Sequence, residues 1–93
     1  MVNNEQILHK TVLIKNELGL HARSAAQIAE IAKNSSGRVW VMKDGRKADA
    51  SSIIDILTLV CEKGAKISII IEDSADADIM HAIVNLVDKG FGE

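Results

Sequence analysis

From His9 to Lys15 apolar and polar residues alternate, with Val12 and Ile14 on one face and Thr11 and Leu13 on the other. This is the pattern of a half-buried strand. The residues before it, Met1 to Leu8, are polar and irregular and read as a loosely held end. The period changes at Ala22, where Ala25, Ile28, Ala29 and Ala32 form a narrow helical stripe running to Lys33. Small residues on that stripe imply a helix lying close to the layer it covers. Asn34-Ser35-Ser36-Gly37 breaks it, and Arg38 to Lys43, β-branched and aromatic, reads as a second strand. Asp44-Gly45 is a two-residue hairpin signal, so Arg46 to Asp49 is expected to return antiparallel.

Ser51 and Ser52 precede a second helical stretch from Ile53 to Val60, and Ser52-Ile53-Ile54-Asp55 has the form of a capping box. Gly64, in Glu62-Lys63-Gly64-Ala65, is the expected stop. Lys66 to Glu72 alternates again, placing Ile67, Ile69 and Ile71 on one face. Asp73 or Ser74 is suited to cap a last helix to Lys89, with Ile79, Ile83, Leu86 and Val87 inward and Gly90 at its end. Asp76 and Asp78 near its start and Lys89 near its end suit the helix dipole. The order β-α-β-β-α-β-α calls for helices covering one sheet face, a two-layer α+β sandwich in one domain over residues 1–93.

Composition narrows the function. A hydrophobic share of 47% with one Trp and one Phe implies a core of Ile, Val, Leu and Ala. The formal net charge of −2 supplies no global basic field to recruit nucleic acid or anionic lipid. No apolar run approaches the length of a membrane span, and the first residues lack the cationic-then-apolar pattern of a signal peptide. The expectation is a cytoplasmic domain. A single cysteine, Cys61, allows no intramolecular disulfide and no cysteine-based metal site, and reads as a small buried hydrophobe. His9 and His81 have no carboxylate or cysteine spacing that would make them ligands, so no metal is expected. Trp40 lacks a basic patch and reads as a sheet residue rather than a nucleic-acid stacking platform.

The chemistry concentrates in Gly19-Leu20-His21-Ala22-Arg23-Ser24-Ala25-Ala26, between a strand and a helix. Gly19 suits a tight turn. His21 falls at or just before the first helical residue, where backbone N–H groups lack intrahelical partners and the dipole is positive. Arg23 adds a full positive charge. A nucleophilic ring nitrogen is thus placed where amides, dipole and guanidinium would all receive a phosphate.

That string resembles the active-site signature of the HPr family, the histidine-containing phosphocarriers of the bacterial phosphotransferase system. The similarity runs from about Lys10 to the end and includes the His21-to-Ser52 spacing, the Glu62–Ala65 loop and the ending Gly90-Phe91-Gly92-Glu93. The resemblance implies an open-faced sandwich, four antiparallel strands covered on one face by three helices. It implies that His21 becomes a pros-phosphohistidine, taking its phosphoryl group from enzyme I and ultimately from phosphoenolpyruvate. Arg23 would hold the phosphate, and sugar-specific or regulatory proteins would accept it. Such a protein is a stoichiometric carrier rather than an enzyme, needs no cofactor, and presents one face to successive partners as a monomer. The alternative is an HPr-like regulatory module that signals through its phosphorylation state.

The family usually has proline directly after the arginine, where this chain has Ser24; giving up the fixed backbone angle would leave the loop before His21 more mobile. Leu18 stands where some members carry a small polar residue. Ser52 matches the serine that an ATP-dependent HPr kinase phosphorylates in some members, against its plain reading as a helix cap whose neighbour Asp55 would repel a phosphate. The apolar residues of the second helical stretch cannot all fit beneath it, so Ile53, Ile54 and Leu57 are expected to be exposed. With Leu20 and Ser24 they would form the partner-docking face.

Overall fold

The computed structural model describes residues 8–93. Strands β1 (Leu8–Leu13), β2 (Val39–Lys43), β3 (Arg46–Asp49) and β4 (Lys66–Ile71) make one antiparallel sheet in the order β1-β4-β2-β3. Helices α1 (Ala22–Ala32), α2 (Ile53–Leu57) and α3 (Ala77–Asp88) complete the element order, with short 3₁₀ turns at Ser74–Asp76 and Gly90–Gly92. This is the expected open-faced sandwich.

Register follows from the alternation. Val12 pairs with Ile67, and Val41 with both Ile69 and Ala48, so these side chains point to the same face and are buried. A one-residue slip would turn the whole row to solvent. Ile28 of α1, Ile56 of α2 and Ile83 and Val87 of α3 close over that row in a single hydrophobic core. On the opposite face Trp40 lies beneath the Lys47 ammonium, 4.5 Å from its ring centroid, and donates its indole N–H to Glu72 at 2.7 Å. Asp44 and Gly45 both take positive φ, 51° and 80°, as the hairpin requires.

Four expectations need correction. Helix α2 ends at Leu57 rather than Val60, because Thr58 Oγ1 turns back to the Asp55 carbonyl and Val60 flips to a φ of 52°. Lys43 and Arg46 reach over to the carbonyls this frees, Lys43 Nζ lying 2.9 Å from Val60 O. Gly64 is therefore no helix stop; it shapes the turn into β4, donating its N–H to Ile14 O at 2.7 Å. Only half of the expected capping box forms: Ser52 Oγ accepts from Asp55 N, but the Asp55 carboxylate takes the Asp49 N–H instead.

The last correction concerns α3, whose start is displaced by the preceding 3₁₀ turn. Asp73 Oδ1 caps that turn, and Met80, Ile83, Val84 and Val87 face inward while Ile79 and Leu86 sit at the flank. Asp76 does not decorate the helix surface. It is 2% exposed, and its two carboxylate oxygens accept the Ser36 and Gly37 N–H groups at 2.7 and 2.8 Å. It thereby ties the α1–β2 loop to α3.

Candidate functional site

The sequence requires a sharp turn after β1, and Gly19 provides it with a φ of 65°. A second constraint is visible only in three dimensions: a methyl group at Gly19 would lie 2.3 Å from the Cys61 carbonyl oxygen. The backbones approach this closely because Leu20 N–H donates to that oxygen at 2.8 Å. The turn before the site is thus stitched to the segment after α2.

His21 is the N-cap of α1, in extended backbone with φ −123° and ψ −178°. Its carbonyl accepts the first helical bond, from Ala25 N–H at 2.8 Å, and its own N–H donates to Ser24 Oγ at 2.9 Å. The Ser24 hydroxyl lies 3.3 Å from Gly19 O and 3.2 Å from His21 O, the carbonyls to which it can donate. Serine in place of proline gives up the fixed backbone angle, and its side chain ties the His21 backbone to the first turn of the helix. The ring faces the Ser24 backbone N–H without closing a hydrogen bond.

Two residues not singled out from the sequence complete the site. Glu93 places one carboxylate oxygen, Oε2, 2.5 Å from His21 Nε2 and 3.5 Å from Arg23 Nη2. Its other oxygen, Oε1, accepts from Asn16 Nδ2 at 3.1 Å. Asn16, buried, also donates through Nδ2 to Gly19 O at 2.8 Å, so one amide spans the turn and the carboxylate. These bonds, Asn16 first and His21 next, hold the Glu93 carboxyl below its ordinary range. The three donors already receive one anion.

Asn16 had a legible signal. It continues the inward alternation of Val12 and Ile14, and a polar residue at a core-facing position must find partners. Glu93 had none locally, because 72 residues separate it from His21. Gly90, Phe91 and Gly92 all take positive φ, at 65°, 60° and 75°, and curl the chain back. A phenylalanine in that region costs about 1–2 kcal/mol. Burying its side chain, here 4% exposed, returns about 2–3 kcal/mol, so the curl holds.

The expected residues divide. His21 and Arg23 meet around Glu93, with the Arg23 side chain 70% exposed. Ile53 and Ile54 are exposed as expected, while Leu57 is half-buried against the core. Leu20 and Ser24 are buried and cannot belong to a docking face, because the turn geometry that presents His21 points both inward. Leu18 and Val60 are exposed apolar residues that the sequence reading did not assign there. A groove of about 460 Å³ runs between Ala26 and Glu30 of α1, with Lys33 just after it, and Ser52, Ile53 and Ile54. Cys61 is buried, which pushes its thiol pKa up. Among the described residues no cluster of His, Cys, Asp and Glu could hold a metal ion, and no helix is long and apolar enough to cross a membrane.

The chain and its fold are similar to known proteins. The phosphocarrier protein HPr of Neisseria meningitidis is 31% identical over 87 residues, covering 94% of this chain and 98% of that one. The phosphocarrier protein NPr of Klebsiella oxytoca is 35% identical over 85 residues, 90% of this chain and 94% of its own. The crystal structure of HPr-C-His from Thermoanaerobacter tengcongensis superposes with a TM-score of 0.86 at 36% identity, covering 92% of this chain and 97% of that one. The family model described as the PTS HPr component phosphorylation site matches residues 8–89, spanning both His21 and the sheet that supports it. With the family model, the relatives' sequences and a solved structure each matching most of its length, the chain belongs to the HPr family.

Proposed function

We propose that the protein is a phosphoryl carrier: His21 accepts a phosphoryl group from enzyme I and hands it to sugar-specific or regulatory acceptor proteins. The observation that carries this reading is His21 at the N-cap of α1, with first-turn amides, helix dipole and an exposed Arg23 beside it. Neutral imidazole is a competent nucleophile near neutral pH, and the resulting N–P bond remains reactive enough to be passed on. A serine ester would hold the group too firmly. The protein contributes position and charge, acting as a stoichiometric intermediate of the cytoplasm rather than an enzyme. Ile53 and Ile54 supply exposed apolar surface for transient partners.

The test combines phosphoenolpyruvate, a broad-range enzyme I and this protein, read by intact mass under non-acidic conditions. The expected result is a gain of one phosphoryl group, lost on acid treatment and absent in His21→Ala. No gain, with a control HPr phosphorylated in parallel, would overturn the proposal.

A further inference from the structure

Glu93 lies on the reactive ring itself, and the contact is specific to one of its two nitrogens. Its Oε2 is 2.5 Å from His21 Nε2, while Nδ1 accepts no closed hydrogen bond among the described residues. A neutral imidazole carries one N–H, and the nitrogen facing a strong acceptor keeps it. We infer that Glu93 is a positioning residue for His21, its carboxylate holding the proton on Nε2 so that Nδ1 presents the lone pair. This rests on the carrier reading above.

The placement is built rather than incidental. Asn16 Nδ2 fixes the second oxygen at 3.1 Å, and the Glu93 side chain is only 16% exposed. Phe91, buried in the core, anchors the curled segment that delivers it, with Gly92 N–H donating to Lys89 O and Glu93 N–H to Gly90 O. Strained left-handed backbone at a non-glycine residue beside a reactive group is where positioning is expected.

The transfer balances with this arrangement. The Nδ1 lone pair forms the new N–P bond as the bond from phosphorus to the donor's own carrier atom breaks, its electron pair returning to that atom. The Nε2 proton stays in the Nε2–H···Oε2 bond. The ring therefore acquires imidazolium character, which the Glu93 carboxylate stabilises as it forms, much as a carboxylate serves the histidine of a hydrolase triad. The same protonated ring is the better leaving group when the phosphoryl group moves on. Arg23, 3.5 Å from Glu93 and largely exposed, is free to turn to the phosphate.

The experiment compares the native protein with Glu93→Gln and Glu93→Ala. Side-chain ¹⁵N NMR of His21 in the unphosphorylated proteins reports which nitrogen carries the proton, and single-turnover transfer from phosphorylated enzyme I reports the rate. The native ring should carry its proton on Nε2. In Glu93→Ala both the Nε2–H to Nδ1–H ratio and the saturated transfer rate should fall about tenfold, the low end for a charge-assisted hydrogen bond, with KM unchanged. Glu93→Gln, whose carbonyl can still accept from Nε2–H, should restore the ratio and part of the rate. A native Nδ1–H tautomer, an unchanged ratio in Glu93→Ala, or a variant that transfers as fast as native or faster would overturn the inference. Failure of the native protein to accept phosphate would sink the carrier reading, while the NMR ratio would still decide the role of Glu93 in holding the ring.

Discussion

Replacing Gly19 by alanine adds one methyl group at the turn that presents His21. Three costs follow from the structure. The residue must keep a φ of 65°, about 1–2 kcal/mol for any side chain with a Cβ. The new Cβ would lie 2.3 Å from Cys61 O and 2.9 Å from Glu62 Cα, both backbone atoms, so the two segments must separate. Overpacking of this kind costs roughly 1–3 kcal/mol. Separation also strains or breaks the 2.8 Å bond from Leu20 N–H to Cys61 O, worth about 1 kcal/mol. The reduced freedom of the unfolded chain returns about 0.4–1 kcal/mol.

The expected net loss is about 3 kcal/mol, or roughly 12–24 °C in melting temperature for a domain of this size. Urea denaturation with an unchanged m-value measures it. Gly45→Ala is the control: Gly45 also has positive φ, 80°, but nothing stands within 4 Å of the added methyl, so only the backbone term applies. Its expected loss is about 1 kcal/mol. A Gly19→Ala loss no larger than that of Gly45→Ala would refute the argument that close approach to Cys61, rather than backbone angle alone, requires glycine here.

Two further predictions concern buried carboxylate and amide partners. Asp76→Ala removes the acceptor of two backbone N–H groups and should cost about 3 kcal/mol in urea unfolding, with a loss below 1 kcal/mol counting against the tie between the α1–β2 loop and α3. Glu93 is the pH-sensitive member of the site. Its carboxyl is depressed when folded, so its contribution is present at neutral pH and is lost as pH falls through that lowered value. Carboxyl-carbon NMR should find the midpoint below the ordinary glutamate value, and Asn16→Ala, which deletes the leading cause, should raise it; no upward movement would remove Asn16 from the account.

Much of the fold was legible because its signals are local. Alternation named the faces of β1 and β4, Asp44-Gly45 named the hairpin, and the stripe of Ala25, Ile28, Ala29 and Ala32 named α1. Each depends on residues within a few positions of one another. His21 and Arg23 were legible for the same reason, since a helix start places both together. Where local propensity competed with tertiary contacts, the sequence misled. Apolar residues to Val60 suggested a longer α2, but Lys43 and Arg46, from the hairpin, stabilise the carbonyls of an earlier end. Asp76 looked like a helix-dipole residue until the α1–β2 loop brought it two amides.

Sequence by itself determined the alternation, the turns and the placing of a histidine with an arginine at a helix start, because each follows from backbone geometry over one or two turns. Only the tertiary structure decided that Ser24 fastens His21, that Leu20 is buried, and that Asn16 and Glu93 join the site. Those contacts join residues up to 77 positions apart, and no periodicity carries information over that distance. Burial of Phe91 and packing of the sheet bring them together, so the carboxylate on the reactive ring is a consequence of the core.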